Sequence, residues 1–236
     1  MKISKSQEVF SDLYRSVGVQ SQRRYPSESV VRFVATQFGH VPPPERKGIS
    51  VLDMGCGSGS NLTMLMREGF YAIGLDSSTE SLLMASDLCL DWGLKRPALI
   101  SGSFLQIPLS DESIDCVIDV VSLQHLDLRE SSDALAEIAR FMKPKGKFYS
   151  YRLSDNCSIV RDMRTDTAWI DSNTVSNIPA NLPLGNNGPT SFWNEEITLS
   201  KYAQVGLEIE EITRVARSYT SGRLIEYLEI TSSRMN

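Results

Sequence analysis

The sequence predicts an α/β fold: a doubly wound, mostly parallel seven-stranded sheet with an antiparallel C-terminal hairpin, N-terminal helices and an insertion after strand five. Three observations carry that prediction. Short apolar runs alternate with helix-periodic segments from residue 48 to residue 151, an order that implies parallel strands covered on both faces by helices. The first of those runs passes directly into three closely spaced glycines, which lets a strand turn tightly into a helix. Finally, two apolar runs flank Ser221-Gly222 near the end of the sequence, the spacing of a hairpin.

The elements follow in order. Phe10, Leu13, Tyr14 and Val17 recur at helix spacing, as do Val30, Val31, Val34 and Phe38. A polar, basic turn from Gln20 to Pro26 separates them. Pro42, Pro43 and Pro44 forbid regular structure in the linker that runs to Gly48. Residues 1–47 therefore read as an N-terminal helical cap and residues 48–236 as the main domain. In that domain Ile49–Met54 is a buried strand, and Asn61–Glu68 is a helix stopped by Gly69. Tyr71–Leu75 is the second strand. Ser77 with Glu80 reads as a capping box for a helix that reaches Gly93. Ala98–Ser101 and Ile114–Val121 are strands, Ser132–Met142 is a helix ending before Pro144, and Lys147–Tyr151 is strand five. Residues 153–190 are polar and rich in Asn, Asp, Pro and Gly. A stretch of that length without periodicity inside a domain points to a substrate lid. Glu195–Val205 is a last helix, and the strands Leu207–Thr213 and Leu224–Thr231 close the hairpin.

Composition narrows the function. Hydrophobic residues make up 41% and charged residues 22% of 236, ordinary globular values that exclude a disordered or fibrous chain. Twenty-four basic residues against 29 acidic leave a net charge of −5, which argues against nucleic acid or a membrane surface as partner. No apolar run approaches the roughly 18 residues that span a bilayer. Met1 to Asp12 carries no apolar signal core, so a cytoplasmic location is expected. Cys56, Cys89, Cys116 and Cys157 form no CxxC pair, and His40 and His125 are the only histidines. No metal site is expected, and the thiols read as reduced.

The most specific feature is Val51-Leu52-Asp53-Met54-Gly55-Cys56-Gly57-Ser58-Gly59-Ser60-Asn61. A dinucleotide fingerprint would be G-x-G-x-x-G, whereas the glycines here fall at 55, 57 and 59. Asp53 puts a carboxylate where a pyrophosphate would sit, which opposes NAD and suits a ligand bearing an amino group and a sulfonium. Asp76 ends the second strand, where an acid can accept hydrogen bonds from both ribose hydroxyls.

Together these residues resemble the class I S-adenosylmethionine-dependent methyltransferases. Val51 to Asn61 is similar to that family's first motif and Gly74-Leu75-Asp76-Ser77 to its second. Ser101-Gly102-Ser103-Phe104 with Ile107-Pro108-Leu109 matches the third, with Ser103 where the family carries Asp. Ile114 to Ile118 and Leu123-Gln124-His125-Leu126 match the fourth, with Gln124 replacing a histidine. Ala136 to Gly146 matches the helix and turn before strand five. The resemblance implies S-adenosyl-L-methionine as cofactor, held by Arg24, Asp53, Gly55, Cys56, Gly57, Asn61, Asp76, Ser77, Ser103, Phe104, Asp119 and Val120. It implies methyl transfer to the oxygen or nitrogen of a small-molecule or sugar-like acceptor. A cofactor-binding regulatory module and an NAD-dependent oxidoreductase are the alternatives.

His125 is the candidate catalytic residue. It follows the fourth strand, and its ordinary pKa near 6.5 suits a general base whose activity rises to a plateau near pH 6–7. Tyr151, Arg152, Phe192 and Trp193 flank the insertion as candidate walls of an acceptor pocket. Arg23, Arg24 and Tyr25 precede the second helix, where the resemblance implies a contact to the cofactor carboxylate.

Overall fold

In the computed structural model, the described residues are 5–18, 23–163 and 167–236. The two N-terminal periodic segments form α1 (Lys5–Val17) and α2 (Glu28–Phe38). The expected turn at residues 20–26 lies partly outside the described residues. The proline-bearing linker contains one short 3₁₀ turn, Arg46–Gly48. Arg46 is buried there and donates to the carbonyl of Val41 (2.9 Å) and to Glu68. A single buried guanidinium thus pins a segment that lacks apolar periodicity.

The core alternates as expected: β1 (Ser50–Met54), α3 (Ser60–Arg67), β2 (Tyr71–Asp76), α4 (Thr79–Asp91), β3 (Ala98–Ser101), β4 (Ile114–Val120), α5 (Leu128–Phe141) and β5 (Met142–Leu153). The later elements are α6 (Ser158–Asp162), β6 (Thr174–Val175), β7 (Thr190–Ser191), α7 (Glu195–Gln204), β8 (Leu207–Ser218) and β9 (Leu224–Arg234). Seven strands make one sheet in the order β3-β2-β1-β4-β5-β9-β8. Pairs among β1 to β5 are parallel, and β9 is antiparallel to both β5 and β8. The order reverses between β1 and β4, so the carboxyl ends of those strands splay apart and leave a crevice.

Both faces of the sheet are covered. Leu52, Val117 and Phe148 pack with Leu135 and Ile138 of α5 and Tyr202 of α7. Val51, Cys116, Ile118 and Tyr149 pack with Val30 and Phe33 of α2, Leu62 of α3 and Leu82 of α4. Helix α2 therefore belongs to the main core rather than to a separate cap.

Several boundaries differ from expectation for local reasons. The cap of α4 is Ser78, not Ser77: its Oγ accepts from the N–H of Ser81 and donates to Glu80. Helix α5 starts four residues earlier than Ser132, because Asp127 and Glu130 form a capping box. Strand β5 begins at Met142 and absorbs Pro144 where its register against β4 shifts. The hairpin strands run to Ser218 and Arg234, longer than the apolar runs alone, since pairing on one side suffices to extend them.

The insertion is folded. Strands β6 and β7 pair with each other, and Leu153, Cys157, Ile159, Val175, Ile178 and Phe192 form a small apolar cluster with Ile225. The expectation of a stretch without structure is corrected among the described residues: apolar residues too irregularly spaced to show a period still bury a common core.

Candidate active site

The crevice between β1 and β4 opens into a cavity of about 480 Å³, a size typical of small-molecule sites. Its floor is the glycine turn. Gly55, Gly57 and Gly59 have φ of 68°, 52° and 85°, the left-handed region that L residues with a Cβ avoid. A Cβ on Gly55 would meet Ser122 Oγ at 2.1 Å, so only glycine lets the β1 and β4 ends approach this closely. The N–H groups of Gly55 and Cys56 donate to the carbonyl of Leu75 (2.7 and 3.0 Å). That of Gly57 donates to Asp76 Oδ2 (3.0 Å). These three amides are thus committed to β2 and its terminal acid.

Asp76 is buried, faces the cavity, and also accepts from the N–H of Ser78 (2.9 Å). Burial raises its pKa against those bonds. Ser77, Ser103, Phe104 and Val120 line the same cavity, as do Gly55, Cys56, Gly57 and Asn61. Ser103 Oγ accepts from the N–H of Leu105 (3.2 Å) and so stiffens the turn after β3. The Cys56 thiol is pushed up by burial and by Asp53 and Asp76, which makes it an inert wall.

Three expected contacts lie outside the cavity wall. Asp53 is fully buried behind the glycine turn, where its Oδ1 accepts from Asn61 (3.2 Å) and its Oδ2 has no partner. Asp119 is also fully buried; its Oδ1 accepts from the N–H groups of Ser122 and Leu123 (3.0 Å each) and its Oδ2 from Ser150 (2.7 Å). It caps the 3₁₀ turn Leu123–His125 rather than facing a ligand. Arg24 is exposed, and the neighbouring Arg23 lines the cavity instead. The carbonyl of Arg23 accepts from Ser58 (3.3 Å), which holds this segment over the glycine turn.

His125 reaches the cavity, and its Nδ1 bonds the carbonyl of Pro189 in the insertion (2.9 Å). That carbonyl only accepts, so Nδ1 carries the proton and Nε2 is the basic nitrogen. Burial pulls the pKa down to about 4. The ring edge meets Phe10 of α1, with centroids 4.9 Å apart.

Sequence reasoning missed Phe10 and Tyr14 as wall residues, although their helix spacing was legible. It also missed Leu184 and Asn187 of the insertion. Helix α1 is held over the cavity by Arg15, which donates to Glu80 of α4 (2.7 Å). Val121 lines the cavity at φ 58° and Leu184 at φ 63°. Left-handed backbone at a β-branched residue is strain, which concentrates at functional sites. The expected wall residues Arg152, Phe192 and Trp193 are buried away from the cavity, with the Arg152 guanidinium 3.4 Å from the centroid of the Trp193 ring. Tyr151 does line it.

Residues 52–150 match the family model described as a methyltransferase domain. Over those residues the chain carries a methyltransferase domain. An uncharacterised methyltransferase from Geobacillus kaustophilus is 28% identical to this chain over 103 residues, 44% of this chain and 46% of that protein. The chain thus spans about half the length of the curated relatives it matches. A SAM-dependent methyltransferase from Methanosarcina mazei shares the fold at TM-score 0.69 and 18% identity, over 79% of this chain and 92% of that one. The Burkholderia thailandensis 1,6-didemethyltoxoflavin-N1-methyltransferase, solved with bound 1,6-didemethyltoxoflavin and S-adenosylhomocysteine, shares it at TM-score 0.66 and 15% identity. That match covers 100% of this chain and 93% of that one. Among the described residues of the methyltransferase domain, no helix is long and apolar enough to cross a membrane. No group of His, Cys, Asp and Glu among them could hold a metal ion.

Two of the buried titrating groups, Asp53 and His125, give opposite pH dependences. Burial raises Asp53 to about 7 from 3.8. Its contribution to stability is present below about pH 4 and is lost as pH rises toward 7. His125 falls to about 4 from 6.5. Its contribution is present above about pH 6.5 and is lost as pH falls toward 4. Between pH 4 and 6.5 the two slopes oppose. Asp53→Asn should therefore tilt the stability profile upward with pH relative to the parent, and His125→Gln should tilt it downward. Each tilt is at most about 1.4 kcal/mol per pH unit. Urea midpoints at pH 4.5 and 6.5 measure this, and three parallel profiles would refute it.

Proposed function

We propose that this protein transfers a methyl group from S-adenosyl-L-methionine to an oxygen or nitrogen of a small-molecule acceptor. The observation that carries this reading is the placement of Asp76. It ends β2 on the cavity, beside a glycine turn whose amides are already bonded within the protein. Two carboxyls at this turn, Asp53 and Asp76, suit a nucleoside with a cationic tail better than a pyrophosphate.

The residues present fit that cofactor. Asp76 would accept from the ribose hydroxyls, Phe104 and Ser103 would flank the adenine, and Val120 and Val121 would border the methionine portion. Arg23 sits by the glycine turn and would pair with the carboxylate, in a planar fork that matches it. The orphaned Oδ2 of Asp53 lies behind this turn, where a positive charge bound nearby would favour the ionised form of its carboxyl against the effect of burial. When bound, the cofactor supplies a methyl on a positively charged sulfur, an activated leaving group. The protein then contributes alignment and exclusion of water, worth roughly 7–11 kcal/mol when geometry is ideal. His125 Nε2 would take the acceptor's proton. Helix α1 and the insertion would cover the cavity and select the acceptor, since Phe10, Tyr14, Leu184 and Asn187 come from them. Four free, buried cysteines fit a reducing, cytoplasmic setting.

Calorimetry with S-adenosylmethionine, and separately with NAD, tests the reading. Only the first should bind. Asp76→Ala should weaken that binding by about 1–2 kcal/mol, the scale of unpaired polar groups. Tight NAD binding, or an unaltered affinity in the variant, would remove Asp76 from this role.

A further inference from the structure

The cavity wall beyond the glycine turn has a chemistry the cofactor does not use. Tyr151 of β5 and Tyr227 of β9 stack with centroids 4.5 Å apart and planes at 15°. Both line the cavity, and so does Arg217 of β8. The register explains their meeting. Tyr151 pairs with Glu229, Val215 with Tyr227 and Arg217 with Ile225. Positions two apart share a face, so the two rings and the guanidinium lie on one side of the sheet. The charge of Arg217 reaches both phenols and lowers the pKa of each against the raising effect of burial.

Arg217 is also unlike its neighbours. On the same hairpin Arg214 pairs with Glu195 and Arg223 with Asp162. Among the described residues no carboxylate lies within 4.0 Å of Arg217. The acids on the cavity wall are engaged elsewhere: Asp76 accepts from Gly57 and Ser78, and Glu130 caps α5. The other arginine of the cavity, Arg23, is held at the glycine turn by its backbone carbonyl, which accepts from Ser58; its charge also reaches the two phenols, and its guanidinium is the one that serves the cofactor carboxylate in the reading above. A guanidinium at the mouth of an aromatic-walled cavity, with no anion of its own, is a fork for an incoming anion.

We propose that Arg217, with the stacked Tyr151 and Tyr227, forms the acceptor subsite, and that the acceptor is a planar ring bearing a carboxylate. The inference rests on the methyltransferase reading and narrows its substrate class. The rings supply a flat apolar wall, and Arg217 orients the ring by its anionic edge, leaving the opposite edge toward the centre of the cavity.

The test uses the whole chain saturated with S-adenosylhomocysteine, and two probes of nearly equal shape. 4-Hydroxybenzoate should bind at least about tenfold more tightly than the neutral 4-hydroxybenzamide, the ratio expected for a hydrogen-bonded charge pair. Arg217→Gln should erase that preference and leave affinity for the amide and for S-adenosylhomocysteine within about twofold. Arg217→Lys should retain part of it, because charge persists while the fork is lost. Equal binding of the two probes overturns the proposal, as does a preference that survives Arg217→Gln. Absence of binding by either probe at millimolar concentration, with S-adenosylhomocysteine bound, also overturns it. If S-adenosylhomocysteine itself does not bind, the methyltransferase reading fails and this inference falls with it.

Discussion

Replacing Gly55 with alanine is expected to destabilise the protein by about 2–5 kcal/mol. Two costs combine. A residue with a Cβ at φ 68° pays about 1–2 kcal/mol for the left-handed conformation. The new methyl group would stand 2.1 Å from Ser122 Oγ and 2.5 Å from Ser122 Cβ, and overpacking of that kind costs about 1–3 kcal/mol. Ser122 cannot simply rotate away, because its Cβ is itself in the way. The backbone must move, and with it the turn that Asp119 caps through Ser122 and Leu123. Adding Ser122→Gly removes both clashing atoms and should recover the overpacking share while leaving the conformational share. Urea unfolding of the parent, the single variants and the double variant measures this. A loss below about 1 kcal/mol in Gly55→Ala, or no recovery in the double variant, would refute the steric account.

His125→Ala is expected to slow methyl transfer roughly 10²-fold, the lower end of what a positioned base contributes. Affinity for S-adenosylmethionine should change little. The pH profile is the sharper measurement. A base must be unprotonated to act, so the rate should rise with pH only up to the pKa and then level. The bare sequence suggests a limb ending near pH 6–7. Burial moves the pKa of His125 down to about 4, so the rate should already be level above about pH 5. A limb centred between pH 6 and 7 that vanishes in His125→Ala would show that the ring titrates near its ordinary value. A variant with full turnover would show that alignment alone drives transfer and that the Pro189 bond serves only to anchor the insertion.

The centre of the parallel core was legible because its strands β1 and β4 are buried on both faces. Val51 to Met54 and Ile114 to Val120 are apolar runs for that reason, and a run of apolar residues is visible without any knowledge of its partners. The same holds for Gly55 to Gly59 and Asp76, whose spacing along the sequence is itself the geometry. What was not legible depends on residues far apart in sequence. Asp53 and Asp119 lie at strand ends next to the site, yet each side chain turns to local donors, Asn61 in one case and the amides of Ser122 and Leu123 in the other. Arg23 rather than Arg24 enters the cavity, a choice set by how one turn seats on Ser58. The insertion hid its cluster because Ile159, Val175, Ile178 and Phe192 come together from separate turns with no common period. One missed signal was readable: Asp127 followed three residues later by Glu130 announces the start of α5.

The bond between Pro189 and His125 has a consequence for how the molecule breathes. The insertion keeps its own small apolar cluster, distinct from the two that cover the sheet. Such a unit can open as a separate cooperative piece, at a free energy below that of global unfolding. Amide hydrogens of β6 and β7 should therefore exchange faster than those of β1 and β4, and as a group. Each opening also breaks the tether at His125 and withdraws Leu184 and Asn187 from the wall. Exchange rates in the insertion then become a clock for access to the cavity: a ligand that closes it should slow those amides while leaving the central strands unchanged.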